Sequence, residues 1–209
     1  MSGPAWHDDD TRRKVTALVV EVEAKSAAEI VVAVRPRSGD YRHADLAFGA
    51  IAAFLALCVY VYAPQEFADD LVPPALLLFF AACVVFAAHV APLRRLLTSR
   101  AARAANVRTA ARAAFVDQRV SATRDRTGIL VFVSVFERRA EIVADLGVLR
   151  RAEGDQPARA FAEIERTVAE GLPYEAFAQA VRGLGAWLAD ALPARADDEN
   201  ELDDAPRVE

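Results

Sequence analysis

The chain has 209 residues, of which 54% are hydrophobic and 26% charged, and its mean hydropathy is +0.15. This composition excludes a disordered chain, a collagen and a disulfide scaffold, and the length allows one or two domains. The net charge of −5 is unevenly distributed, because residues 94–126 carry nine arginines against two aspartates whereas residues 127–209 carry seventeen acidic groups against nine arginines.

The first 43 residues predict a helix followed by a strand. Residues 1–9 are expected to be a flexible terminus, and Asp10 or Thr11 can cap a helix. Its apolar stripe has helical spacing and consists of Val15, Leu18, Val19 and Val22. The run Glu29–Arg35 (EIVVAVR) is rich in β-branched residues, which predicts a buried strand. Residues 10–43 therefore form the first part of a predicted α/β domain.

Residues 44–92 predict a transmembrane hairpin. Residues 46–63 carry no charge, and residues 71–91 carry only His89 as an ionisable group. Each segment is close to the ~20 residues that cross the hydrocarbon core as a helix. The connector of seven residues between them is too short for a domain, so the two spans must be neighbours. A buried hairpin of a soluble protein is the alternative, but soluble core helices normally carry a polar stripe, which both segments lack.

The charges beside the two spans predict their orientation. The flanking arginines are Arg35, Arg37 and Arg42 before the first span, and Arg94, Arg95, Arg100 and Arg103 after the second. The connector contains acidic residues and no base. The positive-inside rule then places both termini in the cytoplasm and the connector outside, as a multi-pass protein of the inner (cytoplasmic) membrane.

Residues 93–193 predict the second part of the domain. Pro92–Arg119 is typical of one long helix, and Ile129–Phe136 (ILVFVSVF) of a central strand that is buried on both faces. Residues 140–144 predict a third strand nearer the edge, and two amphipathic helices are expected over residues 157–170 and 174–192. A helix between two buried strands favours a parallel crossover, with the hairpin inserted in the connection. The acidic tail, residues 194–209, is expected to be disordered.

Two stretches carry a resemblance to a known family. Residues 28–42 (AEIVVAVRPRSGDYR) and 126–148 (RTGILVFVSVFERRAEIVADLGV), with the two-span insertion and a helix containing AAFVDQRV between them, resemble the bacterial membrane-protein branch of the TPM-domain family. The resemblance covers about residues 10–192. It implies a three-layer α/β/α TPM-like domain that is interrupted by the transmembrane helical hairpin.

The resemblance also bears on activity. It implies relatives with reported acid phosphatase activity and calcium binding. Those relatives usually place Asp-Asn-Gly where this chain has Arg126-Thr127-Gly128, so an arginine or threonine replaces a carboxylate here. Calcium binding and phosphatase action are therefore not carried over directly to this chain.

Open α/β sheets bind ligands beyond the carboxyl ends of their parallel strands. Here those ends are residues 35–42 and 134–139, and the first span begins almost directly after residue 42. We therefore expect this edge to face the membrane. Its arginines are predicted to contact lipid head groups or a membrane-protein partner: Arg35, Arg37, Arg42, Arg138 and Arg139. The alternative is that these arginines only set the topology.

Asp40, Glu137 and Asp145 are the candidate ligands of a hard cation such as calcium. A solvated acidic rim, or pairing with neighbouring arginines, is the alternative. Ser134 lies inside an apolar strand and is interpreted as a small core residue. The chain contains three histidines and no GxSxG, P-loop or HExxH motif, so no catalytic residue and no cofactor other than calcium is predicted.

The predicted function is that of a non-enzymatic inner-membrane binding or accessory module for membrane proteins or lipid. A calcium-dependent phosphatase-like hydrolase of the TPM family is the alternative. The arginines of residues 94–126 are interleaved with alanine rather than with aromatic residues that stack on bases, so no nucleic-acid partner is expected. The sequence leaves the oligomeric state open.

Overall fold

A computed structural model describes residues 6, 8–64, 69–194, 201–202 and 204–208. The strands are β1 (Glu29–Arg35), β2 (Gly128–Ser134), β3 (Arg139–Ala144) and β4 (Arg207–Val208). The helices are α1 (Asp9–Glu23), α2 (Arg42–Tyr62), α3 (Val72–His89), α4 (Ala91–Leu97), α5 (Arg100–Asp117), α6 (Leu146–Leu149), α7 (Gln156–Ala169) and α8 (Tyr174–Ala191). The chain divides into an α/β unit, residues 1–38 and 104–209, and a hairpin unit, residues 39–103.

The four strands form one mixed sheet in the order β3-β2-β1-β4. β1 runs parallel to β2 and to β4, whereas β3 runs antiparallel to β2. The predicted parallel crossover between the first two strands and the position of the third strand at an edge are therefore confirmed. The predicted disorder of the tail is wrong for Arg207–Val208, because these residues pair with β1. Residues 195–200, 203 and 209 lie outside the described residues.

Helices cover both faces of the sheet. One face of β1 and β2 packs against α1, α7 and α8, and its strand residues are Ile30, Val32, Val34, Ile129, Val131 and Val133. The opposite face packs against α5, and the residues of this second cluster include Val31, Ala33, Leu130, Phe132, Val107, Ala111 and Ala114. The alternation of faces follows from the two-residue period of a strand. The predicted α/β class is therefore confirmed at the level of a mixed sheet between helices.

β2 is the central strand that its composition predicts. All seven of its residues are buried, and the side chains of each face contribute to a different hydrophobic cluster. The strand begins at Gly128, where a Cβ atom would lie 2.0 Å from the carbonyl oxygen of Val120. Only glycine fits there, because real Cβ atoms do not approach backbone oxygens so closely.

The hairpin unit contains α2 and α3, which pack against each other. The two helices lie at nearly the same positions in the chain as the predicted spans, residues 46–63 and 71–91. The contact is close at Gly49, where a Cβ atom would lie 2.5 Å from Cγ2 of Val84. Small residues allow this approach of two helix backbones.

A buried ion pair joins two helices of the hairpin unit. Arg94 in α4 donates from Nε to Oδ1 of Asp45 in α2 at 2.8 Å, and its Nη2 donates to the second carboxylate oxygen. The side chains of Asp45 and Arg94 are 4% and 11% exposed. Sequence reasoning gave Arg94 a role in topology alone.

The single helix predicted over residues 92–119 is wrong, because α4 and α5 are separated at Thr98 and Ser99. Thr98 has extended backbone angles, φ −108° and ψ 129°. The Ser99 hydroxyl oxygen accepts a hydrogen bond from the backbone N–H of Ala102 at 3.1 Å. A serine that satisfies a free N–H group of the first turn starts a new helix.

Candidate functional site

The parallel pairing of β1 and β2 builds the carboxyl edge, which we define as residues 35–38 and 134–139. Arg35 lies opposite Ser134 in the register of the two strands. The pairing continues past the strands, because Val135 donates from its backbone N–H to the carbonyl of Arg35 at 3.0 Å and Phe136 to that of Pro36 at 2.9 Å. The two chain segments are thus fixed against each other, although about 100 residues separate them.

Glu137 joins these two segments. Its Oε1 accepts a hydrogen bond from the backbone N–H of Ser38 at 2.9 Å, and its Oε2 accepts one from the hydroxyl of Ser134. The two serine hydroxyls are 2.6 Å apart and share a further hydrogen bond. Glu137 is only 3% exposed and Ser134 is fully buried. The carboxylate therefore acts within the fold, as a clamp between the segments that follow β1 and β2.

This arrangement places hydroxyl groups beside a carboxylate, which is a pattern that can serve nucleophilic catalysis. The hydroxyl of Ser134 is not accessible to a substrate, since its residue is fully buried. The group therefore fits a positioning role. Sequence reasoning missed the roles of Ser38 and Ser134. The one available signal was a serine at the end of an otherwise apolar strand.

Four of the five predicted contact arginines belong to the carboxyl edge. Arg37 and Arg138 are exposed, and neither has a side-chain partner among the residues that the structure describes. Arg35 is half-buried with its guanidinium 5.7 Å from the centre of the Phe132 ring. Arg139 begins β3 and is half-buried. The edge therefore presents two exposed guanidinium groups that have donors available for an anion.

The fifth arginine and one predicted metal ligand belong to the hairpin unit. Arg42 is the first residue of α2, and its Nε lies 3.7 Å from a carboxylate oxygen of Asp40. The backbone N–H of Arg42 also donates to Asp40 Oδ1 at 3.1 Å. Both side chains are exposed, with 86% and 66% of their surface accessible. The contact is therefore a local ion pair at the beginning of a helix.

The structure does not bring together Glu137 and Asp145, two of the three predicted metal ligands. Asp145 donates from its backbone N–H to the carbonyl of Gly128 at the first residue of β2, whereas Glu137 contacts Ser134 at the last. Six residues of strand separate these positions by about 20 Å. Asp40 belongs to the hairpin unit. The part of the chain that the structure describes contains no group of three or more His, Cys, Asp or Glu residues able to hold a metal ion.

Asp145 has a different task at the opposite edge of the sheet. Its Oδ1 accepts a hydrogen bond from the backbone N–H of Leu146 at 2.6 Å and caps α6. Its Oδ2 accepts one from Nε of Arg126 at 2.8 Å, and the Asp145 side chain is 3% exposed. This hydrogen bond raises the pKa of Arg126 above its usual value. Arg126 therefore pairs with a buried carboxylate beside the first residue of β2.

Acidic side chains also lie near the beginning of β1. Glu23 accepts a hydrogen bond from the backbone N–H of Ile30 at 2.6 Å, and burial raises the pKa of Glu23 to about 9. Burial also raises the pKa of Glu29, although the backbone N–H of Glu201 donates to its carboxylate at 3.3 Å. Asp204 lies near both and contributes to the two increases. These groups link the C-terminal segment to β1.

Comparison with known proteins supports the fold. The structure is similar to the NMR structure of BA42 protein from the psychrophilic bacterium Bizionia argentinensis, with a TM-score of 0.58 and 13% sequence identity over 97% of this chain and 94% of that one. A likeness at this identity shows the fold alone. Scans against protein-family models and curated proteins gave no match.

Proposed function

We propose that this chain is an integral membrane protein in which α2 and α3 cross the bilayer and hold a TPM-like α/β domain at the cytoplasmic surface. The domain works as a binding or accessory module for anionic lipid head groups or for a membrane-protein partner. The observation that carries the proposal is the exposure of the apolar side chains of both helices. The resemblance to the membrane branch of the TPM-domain family supports the same function.

Both helices are as apolar as transmembrane helices, and most of their side chains are exposed, as in helices that face lipid. The mean hydropathy of each reaches 2.1 over 18 residues, and only 17% and 6% of those residues are buried. Large apolar side chains are exposed along both, for example Phe54 at 63%, Val59 at 70% and Leu78 at 73%. The core helix of a soluble protein has such side chains buried, and exposed apolar patches of this extent mark membrane or partner contacts.

The charge distribution supports the cytoplasmic assignment of the domain. In the sequence, arginines precede α2 and follow α3, whereas the described part of the connector contains Asp69 and Asp70. An excess of arginine and lysine in the segments beside transmembrane helices sets the orientation of those helices, because these segments stay in the cytoplasm. We therefore propose that the protein lies in the inner membrane with both termini in the cytoplasm.

The exposed arginines of the carboxyl edge support a role at the membrane surface. Only residues 36–41 separate the end of β1 from the first residue of α2. A chain of this length extends at most about 25 Å, which keeps the edge within reach of the head groups. Near an anionic leaflet each arginine contributes about 1 kcal/mol, so Arg37 and Arg138 together can hold the domain against the bilayer.

The calcium-dependent phosphatase alternative has no such support. Its candidate ligands Glu137 and Asp145 lie at opposite ends of β2, and both carboxylates are occupied by hydrogen bonds within the fold. A purified preparation that hydrolyses a phosphate ester in a calcium-dependent way, with loss of turnover in Glu137→Ala, would restore this alternative.

Two measurements test the proposal. Alkaline carbonate extraction of membranes should leave the full chain in the pellet, and its release into the supernatant would contradict membrane insertion.

Position 138 should also lie nearer to lipid than position 150, which carries an exposed arginine at the opposite edge of the sheet. After replacement of Cys58 and Cys83, a fluorophore at Arg138→Cys in nanodiscs should be quenched by head-group nitroxides more strongly than one at Arg150→Cys. Equal quenching would contradict the proposed role of the carboxyl edge.

A further inference from the structure

A second group of arginines surrounds a depression at the end of the sheet opposite to the carboxyl edge. The depression has a volume of about 410 Å³. We call it the arginine pocket, and its lining residues are Asp125, Arg126, Leu146, Gly147, Arg150 and Arg151. The lining residues come from the segment that enters β2 and the segment that leaves β3, which the antiparallel pairing brings together.

The backbone of the pocket is held in one conformation. Arg126 adopts a left-handed conformation with φ 59°, which is uncommon for a residue with a side chain. The backbone N–H of Gly147 donates to the carbonyl of Arg126 at 2.8 Å. A Cβ atom at Gly147 would lie 2.3 Å from the carbonyl oxygen of Asp125, so the two segments are in direct backbone contact. The floor of the pocket is therefore fixed before any ligand arrives.

Two of the three guanidinium groups are also oriented by the fold. Arg126 uses Nε for the buried carboxylate of Asp145, which leaves its terminal nitrogens as donors. Arg151 donates from Nη1 to the carbonyl of Gly147 at 2.8 Å, which leaves its other donors. Oriented guanidinium groups lose little conformational entropy when they bind an anion.

The charge of the pocket is not balanced. Arg150 is exposed and has no ion-pair or hydrogen-bond partner for its side chain among the described residues. Asp125 is the one acidic residue of the lining, against three arginines, and Asp145 balances only one of these. The three arginines minus Asp125 and Asp145 leave a net charge of +1, and the N–H groups of three guanidinium forks around one space match the several oxygen atoms of a phosphate group.

We infer that the arginine pocket binds a phosphate monoester or inorganic phosphate through Arg126, Arg150 and Arg151. The arginine pocket lies at the opposite end of the sheet from the lipid contact proposed above. The parallel strands begin at the pocket end, with Glu29 and Gly128, and they finish at the carboxyl edge, with Arg35 and Ser134. The inference therefore goes beyond the proposed function and does not depend on it. A lipid head group and a soluble metabolite can both supply a phosphate monoester.

The test uses the full chain in phosphatidylcholine nanodiscs and inorganic phosphate as the probe. Isothermal titration calorimetry at constant ionic strength should detect binding to the wild type. Arg150→Gln should weaken binding about tenfold and Arg150→Glu should abolish it, because one of three charged donors is lost or reversed. Arg112→Gln is the matched control, since Arg112 is exposed on α5 and its side chain has no partner in the described part of the chain.

Competing ligands then distinguish the two sources of phosphate. Displacement of the probe by glycerol 3-phosphate supports a soluble ligand, and displacement only by phosphatidic acid in the nanodisc supports a lipid head group. Either result supports a phosphate monoester site. The inference is overturned if inorganic phosphate does not bind, or if it binds to the wild type, Arg150→Gln and Arg112→Gln with equal affinity. Carbonate extraction tests membrane insertion and does not depend on phosphate binding. Failure of the proposed function and failure of this inference can therefore be told apart.

Discussion

Replacing Glu137 with alanine tests whether this residue clamps the carboxyl edge. The substitution removes the acceptor of two hydrogen bonds, one from the backbone N–H of Ser38 and one from the hydroxyl of Ser134. Hydrogen bonds to a charged group contribute about 1.5–3 kcal/mol each. The same substitution also removes the cost of burying the carboxylate, so we expect a net loss of about 2–4 kcal/mol.

Hydrogen–deuterium exchange of the full chain in nanodiscs measures this effect where it arises. A loss of 2–4 kcal/mol corresponds to roughly 30- to 1000-fold faster exchange in the peptide that contains Ser38. Glu153→Ala is the matched control, because the Glu153 side chain is exposed and has no hydrogen bond or ion pair among the described residues. If Glu137→Ala exchanges at the control rate, the clamp does not exist in solution.

Three further perturbations follow from the contacts. Asp45→Ala leaves Arg94 buried without its counter-ion and should cost about 3–5 kcal/mol in unfolding by sodium dodecyl sulfate; an unchanged transition would contradict the buried pair. Gly49→Leu should separate the two helices and cost about 1–3 kcal/mol, whereas Ala50→Leu, at an exposed position, should not; equal effects would contradict their packing. Glu23 keeps its proton in the folded state between its usual pKa of 4.5 and its raised value of about 9, whereas the unfolded state releases it. The melting temperature should therefore fall as the pH rises from 5 to 9, and a Glu23→Gln variant with the same slope would refute this assignment.

Hydrophobic periodicity predicts most of the fold because burial follows local sequence in this chain. The apolar stripe of α1 and the continuous apolar run of β2 both lie in the core. The break between α4 and α5 was missed because alanine and arginine favour a helix across it, while Ser99 forms a competing cap. β4 was missed because its two residues gain their conformation from pairing with β1 rather than from their own sequence.

The candidate site was predicted only in part because its partners are distant in sequence. Glu137 was identified, but Ser38, which lies 99 residues earlier, is brought to it only by the parallel register of β1 and β2. Asp145 was assigned to the same site, although the antiparallel β3 carries it back to the opposite edge. The exposed arginines of the carboxyl edge were predicted as candidates, and their contact with lipid stays a prediction.

The orientation of the hairpin is measured most directly by cysteine labelling in intact cells. In a chain without Cys58 and Cys83, an impermeant maleimide should label Asp70→Cys, in the connector, without disruption of the membrane. It should label Arg138→Cys, in the α/β unit, only after the membrane is made permeable. Labelling of position 138 in intact cells, or of neither position before permeabilisation, would contradict two spans with a cytoplasmic domain.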